Sequence, residues 1–274
     1  MPETGNKDYS RASRRLVVRI GKSHLSFSAH DINDPRKVIY EPYKWNRSLS
    51  PEANFRDACE VIALLRCDFE GADIMIDSPV LTVPGREFVN EDAETLYRFT
   101  FNSNEHDALV CDFIPFLNCH AVLAIDKSLK ESLDKRLEDV AYHPVSLPVW
   151  KCLHPQSHTL RNNKLFAYLH DDRIEVFAFA QNHFKFHNQF PANNLQDAEF
   201  YVLSVWQQMG LKSDVDEFHL LGSLPDMDEY ITHLSRFIKK VSHHKSEDLI
   251  KIQLLADTSA MTLDLIVLHN STIS

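Results

Sequence analysis

Three short turns carry the residues of this chain best suited to chemistry. Gly21-Lys22-Ser23 offers bare backbone amides beside an ammonium, the equipment of an anion site. Asp171-Asp172 offers two adjacent carboxylates for a metal ion. Gly222-Ser223 ends an apolar run with backbone bare of a Cβ beside a hydroxyl. Each also has a plainer reading. Gly-Lys-Ser and Asp-Asp are ordinary hairpin-turn residues, and Ser223 sits where a strand turns into a helix and needs a cap. Cys152 and His154 form a fourth group. Pro155 favours an extended His154, which would put the two side chains on one face about 6–7 Å apart. A zinc site needs four ligands, and no second cluster pairs with this one.

The first two turns join similar elements. Residues 16–29 read as a hairpin: an apolar run, a polar turn, then alternation in which Leu25, Phe27 and Ala29 share a face. Residues 164–179 repeat the pattern, and 183–187 alternate again, with His183 and His187 expected on the solvent face opposite Phe184 and Phe186. Ser50-Pro51-Glu52 signals a helix start. Further helices are expected over 91–98, after Asp126 to about Val140, from Asn194 to Gly210, and over 227–238. A strand pair is expected at 73–76 and 80–83, with single strands near 108–114, 120–125 and 217–221. Two strand-like runs, 249–255 and 262–268, close the chain. The second half thus reads β-β-β-α-β-α, and the opening half begins the same way. This points to internal duplication, with a disordered arm over 1–14 and halves at 15–150 and 151–274.

Composition narrows the function. The 274 residues are 44% hydrophobic and 25% charged, ordinary globular values. A net charge of −10 argues against nucleic acid and anionic membrane as partners. Five cysteines, most within apolar runs, are expected as buried reduced thiols. No stretch reaches the length of a signal peptide core or a membrane span, so a cytoplasmic protein is expected. Only six glycines occur, with no G-x-G and no G-x-x-x-x-G-K, so a Rossmann or P-loop nucleotide site is disfavoured.

Several segments together resemble a bacterial domain-of-unknown-function family of about this length, whose fold is similar to actin-like ATPases. They are the two hairpins, 80–88 with Asp92-Ala93-Glu94, Tyr142-His143-Pro144-Val145-Ser146, and Leu220-Leu221-Gly222. The resemblance covers roughly residues 15–268. It implies a duplicated actin-like, ribonuclease H-like α/β fold, with two lobes of mixed five-stranded sheets flanked by helices. In the wider superfamily each hairpin opens with an aspartate before a glycine-containing turn, and a later Gly-Gly element holds the nucleoside. Here those positions read Arg19, Leu169 and Gly222-Ser223. A cation cannot replace a magnesium-binding carboxylate, and a leucine ligates nothing. The expectation is a non-catalytic binding or scaffold module, with a protein or small-molecule partner in the interlobe cleft and no cofactor, metal or catalytic residue assigned. The alternative is an atypical nucleotide-binding protein or weak ATPase using Gly21, Lys22, Ser23, Asp171, Asp172, Gly222 and Ser223.

Overall fold

The computed structural model describes residues 15–31, 33–101, 103–158, 162–222, 226–250 and 260–273. The first half runs β1 (Arg15–Ile20), β2 (His24–His30), β3 (Val38–Lys44), α1 (Pro51–Val61), β4 (Gly71–Ile76), β5 (Leu81–Pro84), α2 (Ala93–Thr100), β6 (Asp107–Ile114), β7 (Cys119–Asp126), α3 (Lys127–Arg136), β8 (Val140–Pro144) and α4 (Leu147–Leu153). The second runs β9 (Lys164–His170), β10 (Arg173–Ala180), β11 (His183–Pro191), α5 (Leu195–Gln208), β12 (Glu217–Leu221), α6 (Met227–Leu234), β13 (Val241–His244), α7 (Ser246–Leu249) and α8 (Leu263–Ile273).

The two halves build the same sheet. Their strand orders are β3-β2-β1-β4-β8 and β11-β10-β9-β12-β13. In each, three strands meander antiparallel and the last two join in parallel after helical crossovers. A third, antiparallel sheet, β5-β7-β6, is inserted in the first half between β4 and β8. The expected helix starts are made by side-chain caps: Ser50, Asp126 and Asn194 each accept a backbone N–H three residues on.

The central strands are buried on both faces, which is why they read as continuous apolar runs. In β1, Leu16, Val18 and Ile20 join a core with Phe27, Phe55 and Ile74, while Val17 faces Met75, Leu265 and Ile266. In β9, Leu165, Ala167 and Leu169 pack with α5 and α6 residues, and Phe166 and Tyr168 point the other way into the core of the first lobe. One apolar core therefore runs through both lobes. Helix α8, last in the chain, turns back and packs its Leu265 and Ile266 against the first sheet.

Several expectations are corrected. The run 262–268 is helical in α8 from Leu263, because short apolar runs look alike in strands and helices. Most of 249–255 lies outside the described residues. Strands β4 and β5 do not pair with each other; β5 pairs with β7. Helix α3 ends at Arg136, and Val140 opens β8. A register shift at Ala178/Phe179 inserts an extra residue into β11. It turns the His187 side chain inward, 2% exposed, instead of onto the solvent face. Cys152 lies in α4 and His154 opens the 3-10 turn that follows it, so the extended face they were to share does not exist. Of the cysteines only Cys119 is buried; Cys111 is exposed because it points outward from β6, an edge strand. Among the described residues no helix is long and apolar enough to cross a membrane.

His143 on β8 ties the small sheet to the large one. Its Nδ1 lies 2.7 Å from Asp112 on β6, and its Nε2 lies 3.8 Å from Asp73 on β4. Burial alone would lower its pKa, but bonds to Asp112 and Asp73 overcome that and raise it to about 9. A base held protonated only in the folded state stabilises that state fully below its ordinary pKa, near 6.5. The contribution is lost as pH rises through about 9. Melting temperature should therefore fall across this window, and His143→Gln should flatten the fall. An unchanged pH profile in the variant would contradict the assignment.

Candidate functional site at the interlobe junction

The two hairpin tips meet where the lobes join. Arg19, on the Val17 face of β1, is a charged residue in a strand that is otherwise apolar, and its side chain is 0% exposed. A guanidinium in that position must be paired. Its Nε donates to Asp264 Oδ2 of α8 at 2.6 Å, and its Nη2 donates to Asp171 at the tip of the second hairpin. Tyr168 donates its hydroxyl to the other Asp264 oxygen at 3.1 Å. Three distant parts of the chain thus converge on one cation.

Asp171 also faces the first turn. The backbone N–H of Lys22 approaches its Oδ1 at 3.4 Å, and the Lys22 ammonium lies 2.9 Å from Asp172. A Cβ on Gly21 would fall 2.6 Å from Arg19 Nη1 and 3.0 Å from Asp171 Oδ1, so the absence of a side chain there permits the approach. Asp171 and Asp172 both adopt left-handed backbone, φ 44° and 60°, as a two-residue hairpin turn demands. The structure therefore brings Gly21, Lys22, Asp171 and Asp172 together. Ser23 instead places its hydroxyl 3.2 Å from His24 Nδ1. Gly222, φ 83°, lies against β9, where a Cβ would sit 2.2 Å from the Leu169 carbonyl oxygen. Its glycine is required by close backbone packing. Ser223 lies outside the described residues.

The charges set one another. Burial opposes ionisation of Asp171, but His170 and Arg19 hold its carboxyl far below the usual range. Burial likewise opposes the charge on Arg19, yet Asp264 and Asp171 keep it firmly protonated.

Behind this pair lies a second polar group. Glu175 of β10 is fully buried and accepts from Ser146, from the Trp150 indole and, at 2.8 Å, from Gln189. His187 Nε2 lies 3.3 Å from it. Burial works against its ionisation, but His170 and His187 hold the carboxyl well below normal. His170, on the same face of β9 as Tyr168, stands between Glu175, Asp171 and Asp77. Burial alone would lower it; Asp171, Glu175 and Asp77 raise it to about 9.

Sequence reasoning placed Arg19 at the junction but missed Asp264, Tyr168, Asp77, His170 and Glu175. A usable signal existed for two of them. Like the arginine within Val-Val-Arg-Ile, a glutamate within Ile-Glu-Val-Phe and an aspartate within Leu-Asp-Leu-Ile are charges in buried apolar runs.

This is the architecture of the actin-like ATPase fold. The chain aligns with a Bacteroides thetaiotaomicron protein of actin-like ATPase fold and unknown function at TM-score 0.80 and 23% identity, covering 97% of this chain and 99% of that one. It aligns with a chain of a PilM–PilN type IV pilus biogenesis complex at TM-score 0.60 and 9% identity, covering 95% and 98%. The chain belongs to the family described as protein of unknown function (DUF3822), whose model matches residues 5–241. A search of curated protein sequences gave no match.

Truncating one member of a buried charge group strands the others, at about 3–5 kcal/mol. Asp264→Ala should therefore lower the unfolding free energy by about that much in urea titrations. Removing all three charges together, as Arg19→Met with Asp171→Leu and Asp264→Leu, should recover much of the loss. A single variant as stable as wild type would show that the group is not dry.

Proposed function

We propose that this chain is a non-catalytic binding module of actin-like fold, working in the cytoplasm and held in one arrangement of its lobes. The observation that carries this reading is the Asp171 carboxylate. It lies against the Lys22 amide and the Arg19 guanidinium, the groups at this junction that could receive a phosphate. The anion site is filled by the protein's own side chain. A magnesium nucleotide, which the fold family implies, does not fit these residues. Arg19 stands where a metal-binding carboxylate would be needed, and the Lys22 ammonium is taken by Asp172. Leu169 faces the helices of the second lobe. Free thiols at Cys59, Cys111 and Cys119 suit a reducing compartment.

Between the lobes an open cleft of about 320 Å³ remains, lined by Lys22, Pro79, Phe101, Asp172, Arg173 and Phe190 among others. Its size suits a side-chain anchor or a small molecule, and its mix of aromatic and charged groups suits recognition more than chemistry. A similar chain was solved within a PilM–PilN complex, and a chain of this fold bound to a second protein supports a protein partner here.

A ligand that binds only the native state must raise its melting temperature, by about 2.7 kcal/mol of stability at a hundred times Kd. Millimolar ATP or ADP, with or without magnesium, should leave the melting temperature of the wild-type protein unchanged. A magnesium-dependent rise would overturn the reading and favour the atypical nucleotide-binding alternative built on Gly21, Lys22, Ser23, Asp171, Asp172, Gly222 and Ser223.

A further inference from the structure

Around Asp171 of the Arg19 group, two further buried side chains, Asp77 and His170, converge without being satisfied. Asp77 follows β4 in the first lobe and is anchored by its N–H to the Ile20 carbonyl at 2.9 Å. His170 and Asp171 come from the tip of the second hairpin. Asp77 Oδ1 lies 3.9 Å from His170 Nδ1, which lies 3.5 Å from Asp171 Oδ2. One ligand atom from each of the three falls within 4.8 Å of the others. The Asp77 side chain is 1% exposed and that of His170 is 3% exposed. Among the described residues, neither oxygen of Asp77 and neither nitrogen of His170 has a hydrogen-bond partner. Leaving buried polar groups unpartnered costs about 1–3 kcal/mol each, and more for charged ones.

The far side of the imidazole indicates what is missing. His170 Nε2 lies 3.6 Å from Glu175 Oε2, and Ser146, Trp150 and Gln189 hold that carboxylate in place. A carboxylate behind a histidine draws the ring N–H to its own side and leaves the other nitrogen as a lone pair facing away. Here the other nitrogen faces Asp77 and Asp171, so without a metal a proton must stand between them, and a cation can take that proton's place. The local charges agree. Asp77, Asp171, Glu175 and Asp264 bring four negative charges. Arg19, Arg173, whose Nη1 is 3.6 Å from Asp77, and the protonated His170 bring three positive ones. A divalent cation that displaces the His170 proton would bring the group to balance.

We propose that Asp77, His170 and Asp171 bind a divalent transition-metal ion of the zinc class, which clasps the two lobes together, with Glu175 orienting the histidine ligand. One imidazole nitrogen and two carboxylate oxygens form a donor set suited to zinc more than to magnesium or calcium, which favour all-oxygen shells. Bonds of about 2.0–2.2 Å to a shared ion place tetrahedral ligands roughly 3.3–3.6 Å apart; the His170–Asp171 spacing already fits, and the Asp77 carboxylate must close in on the other two. Arg173, 26% exposed on the wall of the open cleft, has room to swing away as the ion enters. This inference is independent of the proposed partner binding: the clasp stands or falls whatever occupies the cleft.

The test is zinc binding to the full chain after chelator treatment. Isothermal titration and elemental analysis should find one zinc per chain at micromolar or lower concentration, with a rise in melting temperature that EDTA reverses. Asp77→Asn and His170→Gln should each abolish that binding, and Glu175→Gln should weaken it about 10–100-fold. Asp172→Asn, an exposed neighbour outside the set, should bind as wild type does. In the cobalt-loaded protein, visible ligand-field bands should disappear with His170→Gln. An absence of saturable binding by wild type at micromolar zinc would overturn the proposal. So would equal binding by folded Asp77→Asn and His170→Gln, which would place the ion elsewhere.

Discussion

One buried cation organises the junction of this molecule. Arg19 has no access to water, and its charge is paired only if Asp171 and Asp264 reach its Nη2 and Nε together; among the described residues Nη1 finds no partner. Asp171 comes from the second hairpin, and Asp264 from α8, which belongs to the second half in sequence but packs on the first sheet. Neither lobe can move away, and α8 cannot detach, without stranding a charge in an apolar interior. Such a group adds little net stability over a well-packed apolar core, because desolvation offsets most of the attraction. What it adds is selectivity among arrangements, since every alternative leaves at least one member unpaired.

The apolar face of the second sheet has the same effect over a wider area. Phe166, Tyr168 and Phe177 are buried in the core that begins at β1, so the sheets are joined by hydrophobic contact as well as by charge. Trp150 of α4 lies edge-on to Phe184 and His187 while its indole N–H is held by Glu175. The polar group is thus walled in by aromatic rings, and in that setting ionic and hydrogen-bond interactions act at low dielectric.

Much of the architecture was legible from local signals. The hairpins at 16–29 and 164–179 showed in their alternation, and α1 and α5 showed in their caps and spacing, because these features depend on neighbours in sequence. Helix α8 was misread since its apolar run has no polar face within 262–268; its conformation is decided by burial against β1 and β4. His187 was misplaced by a single inserted residue in β11, a feature that pairing with β10 creates and alternation alone does not show. The site was legible in half. Arg19 stood out as a charge within an apolar strand, but its partners lie 152 and 245 residues away along the chain. No spacing rule reaches across such intervals. A charged residue inside an apolar run shows only that a partner exists, and the fold alone supplies its identity.

The account turns on Asp171 standing in for an anion, and removing that carboxylate tests it most directly. In Asp171→Ala, the Lys22 amide and one face of Arg19 are left open while Asp264 still anchors the guanidinium. Calorimetric titration with pyrophosphate should show no binding to wild type and saturable, salt-sensitive binding to the folded variant. Binding of pyrophosphate by wild type that Asp171→Ala leaves unchanged would contradict the account.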